Sequence, residues 1–93
     1  METDARELLA LTEVWLNEQE EKDAGYSQPE GITLVSVAFC IQQAAKAHGA
    51  PERVVDDALY RVRRVTEAHQ LDTHDVLDVK AAKALLFFAR TLF

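Results

Sequence analysis

The sequence predicts an all-α protein, four helices folded as one compact bundle or array over residues 1–93. Glycine and proline are scarce, at three and two of 93 residues, so the chain has few turn signals and its elements must be long. Apolar residues recur at intervals of three and four in four separate stretches, as they do along the buried face of a helix. They make up 48% of the chain, which suits a single core and is too high for a disordered chain.

The first predicted helix covers about residues 4–24. Asp4, followed by Glu7 three residues later, forms a capping-box pattern, and Gly25 is a natural stop. Its apolar stripe is made of Leu8, Leu9, Leu11, Trp15 and Leu16. The second half of this helix is polar on every side, so we expect it to project beyond the core.

The second predicted helix covers residues 34–48, with Thr33 as its cap and Gly49 as its stop. Residues 34–41 are apolar nearly all round, which favours a position at the centre of the fold. The same stretch is rich in β-branched residues and is compatible with a strand. The strong helix formers of residues 42–47 favour the helix.

The third predicted helix covers about residues 51–70 and opens at a proline, a good first-turn residue. Acidic residues lie near its start and basic residues toward its end, an order that complements the helix dipole. The basic residues form a candidate contact patch: Arg61, Arg63 and Arg64. Asp57 and Glu67 lie one turn from two of them, so the alternative is an ordinary solvated face.

The fourth predicted helix covers about residues 73–92, after a capping-box pattern at residues 72–75. Its apolar positions span about 220° of the helix surface, more than a helix buried on one side requires. One face, which we expect to seal the core, holds Leu77, Ala81, Ala84, Leu85, Phe88 and Leu92. The second face, which we expect to remain for a partner, holds Val79, Ala82, Leu86, Ala89 and Phe93.

This surplus of apolar surface predicts a small regulator that binds another protein and masks or replaces that partner's own association surface. Antiactivators, inhibitors and chaperones act in this way. The candidate partner-binding residues are Leu86, Phe87, Phe93, Val79, Ala82 and Trp15, since large side chains dominate interface energetics. We also expect a homodimer through the fourth helix. A structural subunit of a larger assembly is a further alternative.

A DNA-binding regulator is the main alternative. Residues 44–55 resemble the spacing of a helix-turn-helix motif, with Ala, then Gly four residues on, then Val six further. The helix that would read the bases, however, begins with Glu52, Asp56 and Asp57, and carboxylates repel phosphates. The net charge of −6 points the same way. We therefore expect no nucleic acid among the partners.

Other classes of function find little support in the residue pattern. No apolar run reaches the length of a membrane span, and the start of the chain lacks the pattern of a signal peptide, so we expect a cytoplasmic protein. His69, His74 and nearby aspartates fit helix ends better than a metal site. Cys40, the single cysteine, lies in an apolar stretch without an activating base. We expect no enzymatic activity and no cofactor.

Overall fold

The computed structural model describes residues 3–21, 32–72 and 75–92, and within them the all-α, four-helix prediction is confirmed. The helices are α1 (Ala5–Glu21), α2 (Leu34–His48), α3 (Glu52–Ala68) and α4 (Val79–Thr91). Two short strands, β1 (Ile32–Thr33) and β2 (Val76–Leu77), complete the elements. Residues 34–41 belong to α2, so the strand alternative for them is wrong.

The first two helices begin where their capping residues predict. The Asp4 carboxylate accepts the N–H of Glu7 at 2.8 Å, and the Thr33 hydroxyl accepts the N–H of Ser36 at 3.3 Å. The end of α2 is also as predicted, because Gly49 adopts the left-handed conformation with φ of 68°. The predicted end of the first helix, at residue 24, lies outside the described residues.

The third helix ends at Ala68, two residues before the predicted end. Gln70 adopts a positive φ of 57°, and the N–H of Leu71 donates to the carbonyl of Thr66 at 2.9 Å. This pattern closes a helix as a terminal glycine commonly does. A glutamine carries no such signal in the sequence, so the boundary was missed.

The fourth helix begins at Val79, six residues after the predicted start. The two ends of the capping-box pattern bond to each other, since the N–H of Asp72 donates to the Asp75 carboxylate at 2.8 Å, but no helix begins there. The chain then pairs as β2 with β1, antiparallel, with Thr33 opposite Val76. Asp78 is the true cap, and its carboxylate accepts the N–H of Ala81 at 2.6 Å.

The core draws side chains from all four helices, and α4 packs against both α1 and α3. The contact between α1 and α4 is the most extensive, and it includes an ion pair of 2.8 Å between Glu13 and Arg90. We expected α2 to lie at the centre of the fold, but one of its sides faces solvent, because Val35 and Phe39 are exposed. Among the described residues α1 packs against all three other helices, whereas α4 packs mainly against α1 and α3.

Removal of the Asp78 cap tests where α4 begins. We expect Asp78→Ala to lower the free energy of unfolding by about 1 kcal/mol, because the N–H of Ala81 loses its acceptor. Urea denaturation followed by circular dichroism measures the loss. Asp78→Ser is the matched control, since serine caps a helix equally well. Equal stability of the alanine and serine variants would contradict this start for α4.

Candidate protein-interaction surface

One face of α4 is fully buried, and it is the face that the sequence analysis left for a partner. Ala82, Leu86 and Ala89 are each 0% exposed. The prediction that Ala82 and Leu86 lie on an accessible face is therefore wrong. The two alanines stand on either side of Leu86 along one stripe, and their small side chains allow the neighbouring helices to approach closely.

The opposite face of α4 is the accessible one. Phe88 is 39% and Leu92 63% exposed, and Ala84 is exposed as well. These are residues that we expected to seal the core. Of the face that we expected to seal the core, Leu85 is buried and Leu77 packs against the core. The assignment of Ala84, Phe88 and Leu92 to the core is wrong, because these residues are exposed.

A groove of about 360 Å³ lies beside the exposed face, between α4, the end of α3 and the connection that joins them. Its lining consists of Val65, His69, Leu71, Leu77, Ala81, Ala84, Leu85 and Phe88. Among these described residues His69 is the one that ionises, so the groove is almost entirely apolar. We call this groove, together with the exposed Phe87, Phe88 and Leu92, the groove surface.

Ring contacts hold the aromatic side chains of the groove surface in place. The His69 ring stacks on Phe88 with centroids 6.2 Å apart, and Phe87 meets Phe88 edge to face at 6.0 Å. The guanidinium carbon of Arg90 lies 4.9 Å from the centroid of the Phe87 ring. Such contacts restrict the rings before any partner arrives, which reduces the entropy lost on binding.

The other predicted partner-binding residues have different positions. Phe87 is 45% exposed, so it is accessible, and its role in binding stays a prediction. Trp15 and Val79 are partly buried and pack against the core, so both contribute to the fold. Phe93 lies outside the described residues.

The three arginines of the candidate contact patch do not form one surface. The Arg61 side chain is 19% exposed, and its Nε lies 3.5 Å from the Asp57 carboxylate. Its Nε and Nη1 atoms are buried and lack a hydrogen-bond partner. Arg63 and Arg64 are exposed, and Arg64 donates to the Tyr60 hydroxyl at 2.9 Å. At 100° per residue, Arg61 falls on the edge of the core while the other two face solvent.

The start of α3 is acidic and accessible, as the sequence suggested. Residues 49–51 join α2 to α3 in a tight corner. Glu52, Asp56 and Asp57 are all exposed on the first two turns of α3. Carboxylates in these positions oppose phosphate binding.

Metal coordination and thiol chemistry depend on where the His, Cys, Asp and Glu side chains lie. In residues 3–21, 32–72 and 75–92, no three His, Cys, Asp or Glu side chains converge as metal ligands. His74 lies outside these ranges. Burial raises the pKa of the Cys40 thiol to about 11, so the thiol stays protonated near neutral pH. No helix in this part of the chain is long and apolar enough to cross a membrane.

Comparison with known proteins adds no relative. No protein-family model, no curated protein and no solved structure matches this chain. The inference of function therefore depends on the groove surface itself.

Sequence reasoning missed the α3 side of the groove. His69 lies four residues after Val65, on the same apolar face of α3. This continuation of the face to the end of the helix was the one signal for the α3 side of the groove. Leu71 carried no periodic signal, because its position follows from the left-handed turn at Gln70. Local patterns therefore identified the helix faces but not the hollow between them.

A matched pair of substitutions tests the assignment of the two faces. We expect Leu86→Ala to lower the free energy of unfolding by about 3 kcal/mol, because it removes buried methyl groups and leaves a cavity. The same change at Leu92, which is 63% exposed, should cost about 0.5 kcal/mol. Thermal and urea denaturation measure both. Equal losses, or a larger loss for Leu92→Ala, would show that the faces are assigned wrongly.

Proposed function

We propose that this chain is a small regulatory protein that binds another protein through the groove surface. Binding would mask or replace the partner's own association surface, in the manner of antiactivators, inhibitors and chaperones. The observation that carries the proposal is the accessibility of Phe88 and Leu92 beside an apolar groove. The opposite face of the same helix is already used by the core.

Energetic reasons support the groove surface as a binding site. Contiguous apolar patches rimmed by polar residues mark interaction sites in soluble proteins. Each square ångström of apolar surface removed from water contributes roughly 25 cal/mol. Phe88 lines the groove and Phe87 meets it edge to face, and aromatic side chains in such positions commonly dominate binding energy.

The charge of α3 and the state of the one cysteine support two further parts of the proposal, the class of partner and the location. The acidic residues exposed at the start of α3 favour a protein partner over DNA. The one cysteine is buried and unpaired, whereas small secreted domains commonly depend on disulfides. We therefore propose that the protein acts in the cytoplasm.

Differential capture from the native host tests the proposal. We expect a partner that binds the wild-type protein to be lost with Phe88→Asp and with Leu92→Asp, because both place a carboxylate in the apolar contact. Val35→Asp is the matched control, since Val35 is also an exposed apolar residue on a helix. Calorimetry with the purified partner then measures each affinity.

The capture results can be compared once circular dichroism shows that all three variants are folded. Loss with the two α4 variants and retention with Val35→Asp supports the proposal. Equal capture by all four proteins, or loss with Val35→Asp alone, contradicts it. Light scattering of the wild-type protein that shows a dimer, disrupted by Phe88→Asp, would assign the groove surface to self-association instead.

A further inference from the structure

We infer that the groove surface binds an amphipathic helix with acidic residues along one flank. This inference depends on the proposed function and names the chemistry of its partner. It follows from the shape of the groove surface and from the charges beside it.

The shape of the groove surface matches a helix. Its α4 side is an apolar strip that continues from Ala81 through Ala84 and Phe88 to Leu92, a length of about 17 Å at 1.5 Å per residue. A partner helix of about three turns covers this length with side chains at positions i, i+4 and i+7. Ala81 and Ala84 line the groove, and their short side chains leave room for larger side chains of the partner.

An extended peptide fits the described part of the chain less well. A peptide that adds to a sheet needs an open strand of several residues. The strands β1 and β2 have two residues each and pair with one another. They offer too short a template, so the groove between helices is the better receptor.

Positive charge beside the apolar strip of α4 favours a partner helix with acidic residues on its facing flank. In a chain of net charge −6, α4 contains Lys80, Lys83 and Arg90 and no acidic residue. Arg90 already pairs with Glu13 at 2.8 Å. Lys80 is exposed and lies one turn before Ala84, about 40° from it around the helix axis. A helix lying on Ala84 therefore meets the positive charge of Lys80 on this flank, which attracts Asp and Glu and repels Lys and Arg.

Carboxylates also occur near one end of the groove, and each accepts a backbone N–H while it keeps its negative charge. The Asp75 side chain accepts the N–H of Asp72, and the Asp78 side chain accepts the N–H of Ala81. Both lie before the first turn of α4, whereas Lys80 lies on the flank beside Ala84.

A second copy of this chain is a poorer occupant than an acidic helix. In a two-fold dimer with antiparallel α4 helices, the same flanks face one another, since the contact is isologous. Because α4 contains no acidic residue, the α4 helix of a second copy supplies no carboxylate opposite Lys80. An acidic helix supplies one, so it is the better occupant.

Peptide selection tests the inference without knowledge of the natural partner. A phage library of random 16-residue peptides is selected on the full-length protein, with Phe88→Asp as the counter-selection. We expect enriched peptides to carry apolar residues at i, i+4 and i+7 and acidic residues along one flank. A synthetic enriched peptide should bind about tenfold more tightly than its twin with lysines on that flank, a difference of about 1.4 kcal/mol.

A charge reversal on α4 is the second part of the test. Lys80→Glu should remove or invert the preference for the acidic peptide, measured by fluorescence anisotropy. Lys46→Glu is the matched control, because it makes the same change at an exposed lysine of α2. It should leave the preference intact, and equal effects of the two variants would overturn the inference.

The remaining results of the peptide selection, and of the capture experiment, also test the inference. Enriched peptides with basic flanks or without helical spacing would overturn the inference, and so would the absence of enrichment over Phe88→Asp. If a captured partner depends on Phe88 while the peptides show no acidic helix, this inference fails and the proposed function stands. If capture is the same for wild type and Phe88→Asp, both fail.

Discussion

The burial of Ala82, Leu86 and Ala89 is the contact on which the other features of α4 depend, because it fixes the rotation of this helix about its axis. The Glu13–Arg90 ion pair, at 2.8 Å, supports the same rotation by linking α4 to α1. Residues in a helix follow one another at 100°, so with Leu86 inward, Phe88 lies about 160° away and faces out. A domain of this size has a modest core, and its remaining helices cover one apolar face of α4 while leaving the second accessible.

The accessible face of α4 is a candidate binding site because neighbouring residues make it one wall of a groove. His69 at the end of α3 and Leu71, placed by the left-handed turn at Gln70, form the second wall of the groove. The stacking of His69 on Phe88 and the position of Arg90 over Phe87 restrict both aromatic rings. A restricted apolar surface beside a hollow is suited to receive side chains of a partner, which is the basis of the proposed regulatory role.

Local signals predicted much of the fold, and tertiary contacts decided the rest. Thr33 and Gly49 set the ends of α2 through their own hydrogen bonding and backbone conformation, and both are visible in the sequence. The pattern at residues 72–75 also forms its hydrogen bond, but β2 then pairs with β1, so α4 starts later. The periodicity of α4 identified two faces without indicating which is buried. That choice depends on how alanines fit the neighbouring helices, a property of the packed structure.

The most direct test of this account is the thiol accessibility of the two faces of α4. Leu86→Cys and Phe88→Cys are each introduced into a Cys40→Ala background, and the rate of labelling by a thiol reagent is measured under native conditions. The account predicts that the thiol at position 88 reacts as an accessible group. The thiol at position 86 should react through unfolding alone, at least about 100-fold more slowly. Equal rates, or faster reaction at position 86, would contradict the orientation of α4 and the groove surface inferred from it.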